Sequence, residues 1–138
     1  MHDKKIEVRY SVNPDLKKLQ IPCFILQPVV ENAFLHGIDA EENRDGCIEI
    51  SCQKESEKLV FAVKDNGCGM TEKQIKKILT THSNGYGLKN VHERIQLYYG
   101  KAYGIKINSA PHVGTEVTLV LPIDDKKCLF AKNTKKQT

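Results

Sequence analysis

The chain has 138 residues, 40% hydrophobic and 28% charged, ordinary values for one domain long enough to bury a core. No apolar run approaches the roughly 18 residues of a membrane span and no signal-peptide pattern opens the chain, so a module without a membrane segment is expected. The formal charge of +4 comes from Lys126, Lys127, Lys132, Lys135 and Lys136 in an acid-free end; the rest is nearly balanced and lacks the basic stripe that nucleic acid requires.

Residues 126–138 read as a disordered basic tail behind a domain spanning 1–125. The five cysteines, at 23, 47, 52, 68 and 128, contain no CxxC pair. Cys47 and Cys52 fall on opposite faces of one predicted strand, so neither a zinc site nor a disulfide framework is supported. A reducing, cytoplasmic setting is the expectation.

Lys5–Val12 alternates Ile6, Val8, Tyr10 and Val12 and predicts a strand, closed by the turn residues Asn13-Pro14-Asp15. The chain starts almost directly on this strand, which predicts a piece of something longer. Ile21–Gly37 (IPCFILQPVVENAFLHG) predicts a helix, with Pro22 in its first turn, Gly37 as its stop and Pro28 as a kink. Val29, Val30, Ala33 and Phe34 form its apolar stripe. Asn32 and His36 share the other face at i and i+4, with Glu31 beside them. That face suits either water or a ligand.

After the acidic loop 38–46, Cys47–Glu55 and Lys58–Asp65 predict a hairpin joined by Ser56-Glu57. Leu59, Phe61 and Val63 alternate toward Asp65-Asn66-Gly67-Cys68-Gly69-Met70. Such a stretch is either a strand-to-helix turn or the wall of a pocket for a flat ligand. In the second reading Asp65 accepts from an exocyclic amine, and Gly67 and Gly69 let the backbone approach the ring.

Thr71 predicts the N-cap of a short helix to about Leu79, with Lys73, Lys76 and Lys77 on its solvated side. Residues 80–87 (TTHSNGYG) are polar and glycine-rich and predict a mobile loop. Leu88, Val91, Ile95 and Tyr98 then recur at helical spacing over Leu88–Tyr99. A Gly-x-Gly loop entering a helix N-terminus suits an anion, although glycines also serve as plain linkers. Strands are predicted over Tyr103–Asn108 and Thr115–Leu121, with Gly114-Thr115 at the entry to the second.

The order of these stretches resembles the ATP-binding module of the GHKL superfamily: gyrase, heat-shock chaperone ATPases, histidine kinases and mismatch-repair ATPases. The N box, G1 box, G2 box and final Gly-Thr occur in register over about residues 6–122. IPCFILQPVVENAFLHGI and GYGLKNVHERI look like the LytS-like sensor histidine kinases. The resemblance implies an α/β two-layer sandwich of the Bergerat type, a mixed sheet covered on one face by helices.

It also implies Mg-ATP as ligand. Asn32 would hold magnesium with Glu31 assisting, and Asp65 would bind the adenine amine with support from Thr115. Gly67, Gly69 and Met70 would border the base, and His36 would lie near the nucleotide. Gly85, Tyr86, Gly87, Leu88 and Lys89 would meet the phosphates. Relatives often carry a lysine where this chain has Leu35, and Lys89 is the expected substitute.

The implied function is the catalytic domain of a two-component sensor histidine kinase, transferring phosphoryl to a histidine absent from this chain. Its partners would be an upstream dimerisation and phosphoacceptor domain and a response regulator, within a membrane-bound parent. The alternatives are an anti-sigma-type serine kinase and a silent nucleotide-binding module.

Overall fold

Each predicted strand and helix has a counterpart among the residues that the structure, a computed structural model, describes: 5–13, 23–34, 45–80 and 87–123. In chain order these are β1 (Ile6–Val12), α1 (Cys23–Asn32), β2 (Gly46–Glu55), β3 (Lys58–Asp65), α2 (Glu72–Thr80), α3 (Leu88–Tyr99), β4 (Gly104–Ala110) and β5 (Gly114–Pro122). Helix α1 continues through Pro28, and Ala33 and Phe34 follow it in π-helical geometry. Residues 35–37, with Leu35 and His36, lie outside the described residues, as do most of the loop 80–87 and the tail 126–138.

The strands form one mixed sheet in the order β1-β2-β3-β5-β4. Among the described strands only β1 and β2 run parallel, and α1 lies in the connection between them, as a parallel pair requires a crossover. Ser56, at φ 55, makes the tight connection between β2 and β3.

One sheet face is apolar and covered. Ile48 and Cys52 of β2, Leu59, Phe61 and Val63 of β3, and Val117, Leu119 and Leu121 of β5 are buried there. Helix α1 adds Ile25, Val29 and Ala33 at a spacing of one turn, and α3 adds Leu88, Val91 and Ile95. Burying each such side chain is worth about 1.5–3 kcal/mol. Tyr98, expected on this stripe, is 41% exposed, and Tyr99 packs on the core instead. Eleven steps from Leu88 close almost three whole turns, whereas ten leave the side chain roughly 80° away.

The other face is polar. Arg9, Glu49, Lys64, Glu116 and Asn108 stand in register across the five strands, charges alternating in sign along the first four. Opposite charges directly across a ladder each contribute about 0.2–1 kcal/mol. A depression of about 300 Å3 lies here, lined by Arg9, Tyr10, Glu49, Lys64 and Glu116 among others, on the side away from the helices.

The covered face ends differently on three neighbouring strands. Where Leu59, Phe61 and Val63 alternate, the next position is Asp65; where Leu121, Leu119 and Val117 alternate, it is Thr115; after Ile105 and Ile107 it is Ser109. Asp65 lies directly opposite Thr115, and Thr115 directly opposite Ser109. Directly opposed residues project to the same side of a sheet. The apolar face therefore terminates in a polar row, Asp65–Thr115–Ser109.

Candidate nucleotide site

Asp65 and Thr115 are 4% and 5% exposed. The Gly67 N–H donates to Asp65 Oδ1 at 2.8 Å, and the Thr115 N–H also supports the carboxylate. Burial raises the Asp65 pKa above its ordinary 3.8, and the two backbone bonds pull the other way without cancelling it. A carboxylate offers about four acceptor sites, so two N–H donors leave room for a further donor.

Gly114 takes φ 135, and a Cβ there would collide with the Asp65 carbonyl. Only glycine lets β5 approach closely enough for Thr115 to reach Asp65. This is the physical content of the Gly-Thr pair.

Beside Thr115, Ser109 Oγ accepts from the Met70 N–H at 2.8 Å and donates to the Gly114 carbonyl at 2.8 Å. It also lies 2.8 Å from Thr115 Oγ1. The tip of the β4–β5 hairpin closes over the loop after β3, with the His112 N–H bonded to the Cys68 carbonyl at 2.6 Å. Gly69 sits beneath it at φ 70, where a Cβ would strike the Ala110 carbonyl. Gly69 therefore admits the hairpin tip.

Asn66, read as a turn residue, ties the loop to β2. Its Oδ1 accepts from the Cys47 N–H at 2.8 Å, and its Nδ2 donates to the Asp45 carbonyl at 3.3 Å.

Asn32 closes α1 and is 9% exposed, a polar side chain buried at the end of an apolar helix. Glu31 is half-buried, and its carboxylate accepts from Gln27 Nε2 at 2.8 Å across one turn. Gly87 is the N-cap of α3 and, having no side chain, cannot itself cap that end. The positive end of the helix dipole is an environment that favours an anion.

Leu88 is 2% exposed, so it can serve a ligand only through its backbone. Lys89 is the second residue of α3. Its Nζ lies 3.5 Å from Glu93 along its own helix. His36, Gly85 and Tyr86 lie outside the described residues.

The structure thus brings Asp65, Gly67, Gly69, Met70 and Thr115 together, and packs α1, which carries Glu31 and Asn32, against α3. Sequence reading missed Ser109, because the predicted strand stopped at Asn108. The available signal was the alternation of Ile105, Ile107 and Ser109.

Residues 24–125 match the family of histidine kinase-, DNA gyrase B- and HSP90-like ATPases. The chain belongs to that family. It is 31% identical to the sensor histidine kinase BtsS of Escherichia coli K12 over 122 residues, 88% of this chain and 20% of BtsS. With the sensor protein LytS of Bacillus anthracis it shares 34% over 124 residues, 86% of this chain and 21% of LytS. YwpD of Bacillus subtilis shares 34% over 119 residues, 85% of this chain and 41% of its own length. The chain therefore spans between a fifth and about two fifths of these curated relatives.

Among solved structures, the catalytic domain of histidine kinase ThkA superposes with a TM-score of 0.65 at 18% identity, covering 88% of this chain and 81% of that one. The histidine kinase domain of the blue-light activated kinase of Erythrobacter litoralis gives 0.65 at 18%, covering 91% and 55%. The fold is the α/β sandwich of histidine kinase catalytic domains.

Proposed function

We propose that this chain is the ATP-binding catalytic domain of a sensor histidine kinase, presenting Mg-ATP to a phosphoacceptor histidine outside it. The observation that carries this is the buried Asp65 carboxylate, fixed by two backbone N–H groups with acceptor capacity to spare. An adenine amine satisfies that capacity. A guanine carbonyl in the same place would set oxygen against carboxylate.

Asn32 and Glu31 offer the hard oxygen donors that magnesium prefers. Among the described residues no group of three or more His, Cys, Asp or Glu could hold a metal. Magnesium takes one or two protein ligands and completes its shell with phosphate oxygens and water. Bound magnesium would neutralise phosphate charge. The N-terminus of α3 would add its dipole toward the same group.

Phosphoryl transfer depends mainly on positioning and charge neutralisation, which this domain can supply, while the nucleophile must come from elsewhere. The natural source is a dimerising phosphoacceptor domain of the parent protein. The domain would act in the cytoplasm on behalf of a membrane-bound sensor. Among the described residues no helix is long and apolar enough to cross a membrane. ThkA is described in complex with the response regulator TrrA, and a response regulator is the expected final acceptor here.

Calorimetry with ADP and GDP tests the reading. ADP should be preferred, and Asp65→Ala should weaken it by about 1.5–3 kcal/mol, the value of a hydrogen bond to a charged group. Equal affinity for GDP, or undiminished ADP binding by Asp65→Ala, would overturn it. With the phosphoacceptor domain of a LytS-like kinase added, radiolabelled ATP should yield acid-labile phosphohistidine; phosphoserine would point to the serine-kinase alternative.

A further inference from the structure

We propose that Ser109, which need not touch the nucleotide, makes the Thr115 hydroxyl a pure acceptor and so sets the preference for a 6-amino over a 6-oxo purine. The inference rests on the adenine reading of Asp65.

A serine hydroxyl has one proton and two lone pairs. The Met70 N–H can only donate, and it takes one lone pair of Ser109 Oγ at 2.8 Å. The Gly114 carbonyl can only accept, and it takes the Ser109 proton at 2.8 Å. The remaining contact, 2.8 Å to Thr115 Oγ1, must then be filled by the Thr115 proton. All three valences of Ser109 are satisfied, and the hydroxyl of Thr115 is left with lone pairs alone.

Thr115 stands directly opposite Asp65, on the same face of the sheet and equally buried. The carboxylate and the polarised hydroxyl therefore form a surface of acceptors. A 6-amino group can donate directly to that surface. A 6-oxo group finds no donor there. An unconstrained threonine could turn its proton toward either base, and Asp65 would then discriminate alone. The two backbone partners that fix the polarity come from the loop after β3 and from the entry to β5, so the fold itself sets it.

The test uses ADP and inosine diphosphate, which differ at position 6 and in the proton that the oxo form carries on N1. The readout is the ratio of their dissociation constants for the whole chain, since a merely structural role would lower Tm without moving that ratio. Ser109→Ala frees the Thr115 proton and should narrow the preference for ADP by about fivefold, the weight of one hydrogen bond. Ser109→Thr restores a hydroxyl and should restore the ratio. If Ser109→Ala does not fold, Thr115→Val keeps the shape and removes the acceptor, and it should narrow the ratio similarly.

An unchanged ratio in Ser109→Ala, or in Thr115→Val, overturns the proposal while the adenine reading stands, provided that Asp65→Ala still loses ADP. If the unmodified chain does not prefer ADP over GDP, or Asp65→Ala binds ADP undiminished, the adenine reading falls and this inference falls with it.

Discussion

At the scale of single residues, Asp65 links recognition to stability. Its folded pKa is raised by burial, so between 3.8 and that raised value the folded chain holds more protons than the unfolded one. Stability changes with pH as the unfolded minus the folded proton count, so Asp65 gives a negative slope in that window. Its favourable contribution is fully present below 3.8 and is lost as pH rises through the folded pKa. Denaturant titrations across the window should show this slope in the unliganded chain and lose it in Asp65→Asn. A slope that persists in Asp65→Asn would assign the effect to another group. Gly69 makes a second case. Gly69→Ala should lower stability by about 1–3 kcal/mol, because it meets a left-handed φ and a carbonyl together. ADP affinity should fall with it, since the loop can no longer seat beneath the hairpin tip; full ADP affinity in this variant would mean that the tip does not shape the site.

At the scale of elements, α2 and the β4–β5 hairpin are held in opposite ways. Helix α2 contains no buried residue, and Ile75, Ile78 and Leu79 are only half-covered. Its N-terminus is instead closed by a reciprocal pair. Thr71 Oγ1 accepts from the Gln74 N–H at 3.2 Å, and Gln74 Oε1 accepts from the Thr71 N–H at 2.8 Å. Such a capping box is worth about 1 kcal/mol. Thr71→Ala should therefore speed amide exchange across residues 72–80 by about fivefold while β3 and β5 keep their protection. Uniform loss of protection would show that α2 opens only with the whole domain. The hairpin, by contrast, is tied to the loop after β3 through Ser109, His112 and Ala110, and should open only with the sheet.

At the scale of the molecule, the proposed base and phosphate ends of the site would belong to different elements. Asp65, Thr115 and Ser109 come from three neighbouring strands, Asn32 from α1, and a helix N-terminus from α3. A ligand that binds only the folded state stabilises it by about 2.7 kcal/mol at a hundred times its dissociation constant. Asn32→Ala should leave the thermal shift with adenosine unchanged and sharply reduce the shift with Mg-ATP. An equal loss for both would make Asn32 a structural residue of α1.

Side-chain periodicity was enough to place much of this in the sequence. A strand turns its side chains over every second residue, so Leu59, Phe61 and Val63 commit Asp65 to the covered face, and Val117, Leu119 and Leu121 commit Thr115. The helical repeat did the same for Leu88, Val91 and Ile95, and failed at Tyr98 by a single step of rotation. The motif order carried the family, which the match over residues 24–125 shows. Which strands become neighbours lay beyond any local pattern. That β5 lies between β3 and β4, and that its register sets Thr115 against both Asp65 and Ser109, follows from packing among residues far apart in the chain. So does the collision that explains Gly69, whose obstacle is a carbonyl on another strand. Periodicity is imposed by each residue's own backbone and can be read from a few neighbours; register and hydroxyl polarity exist only once distant strands have met.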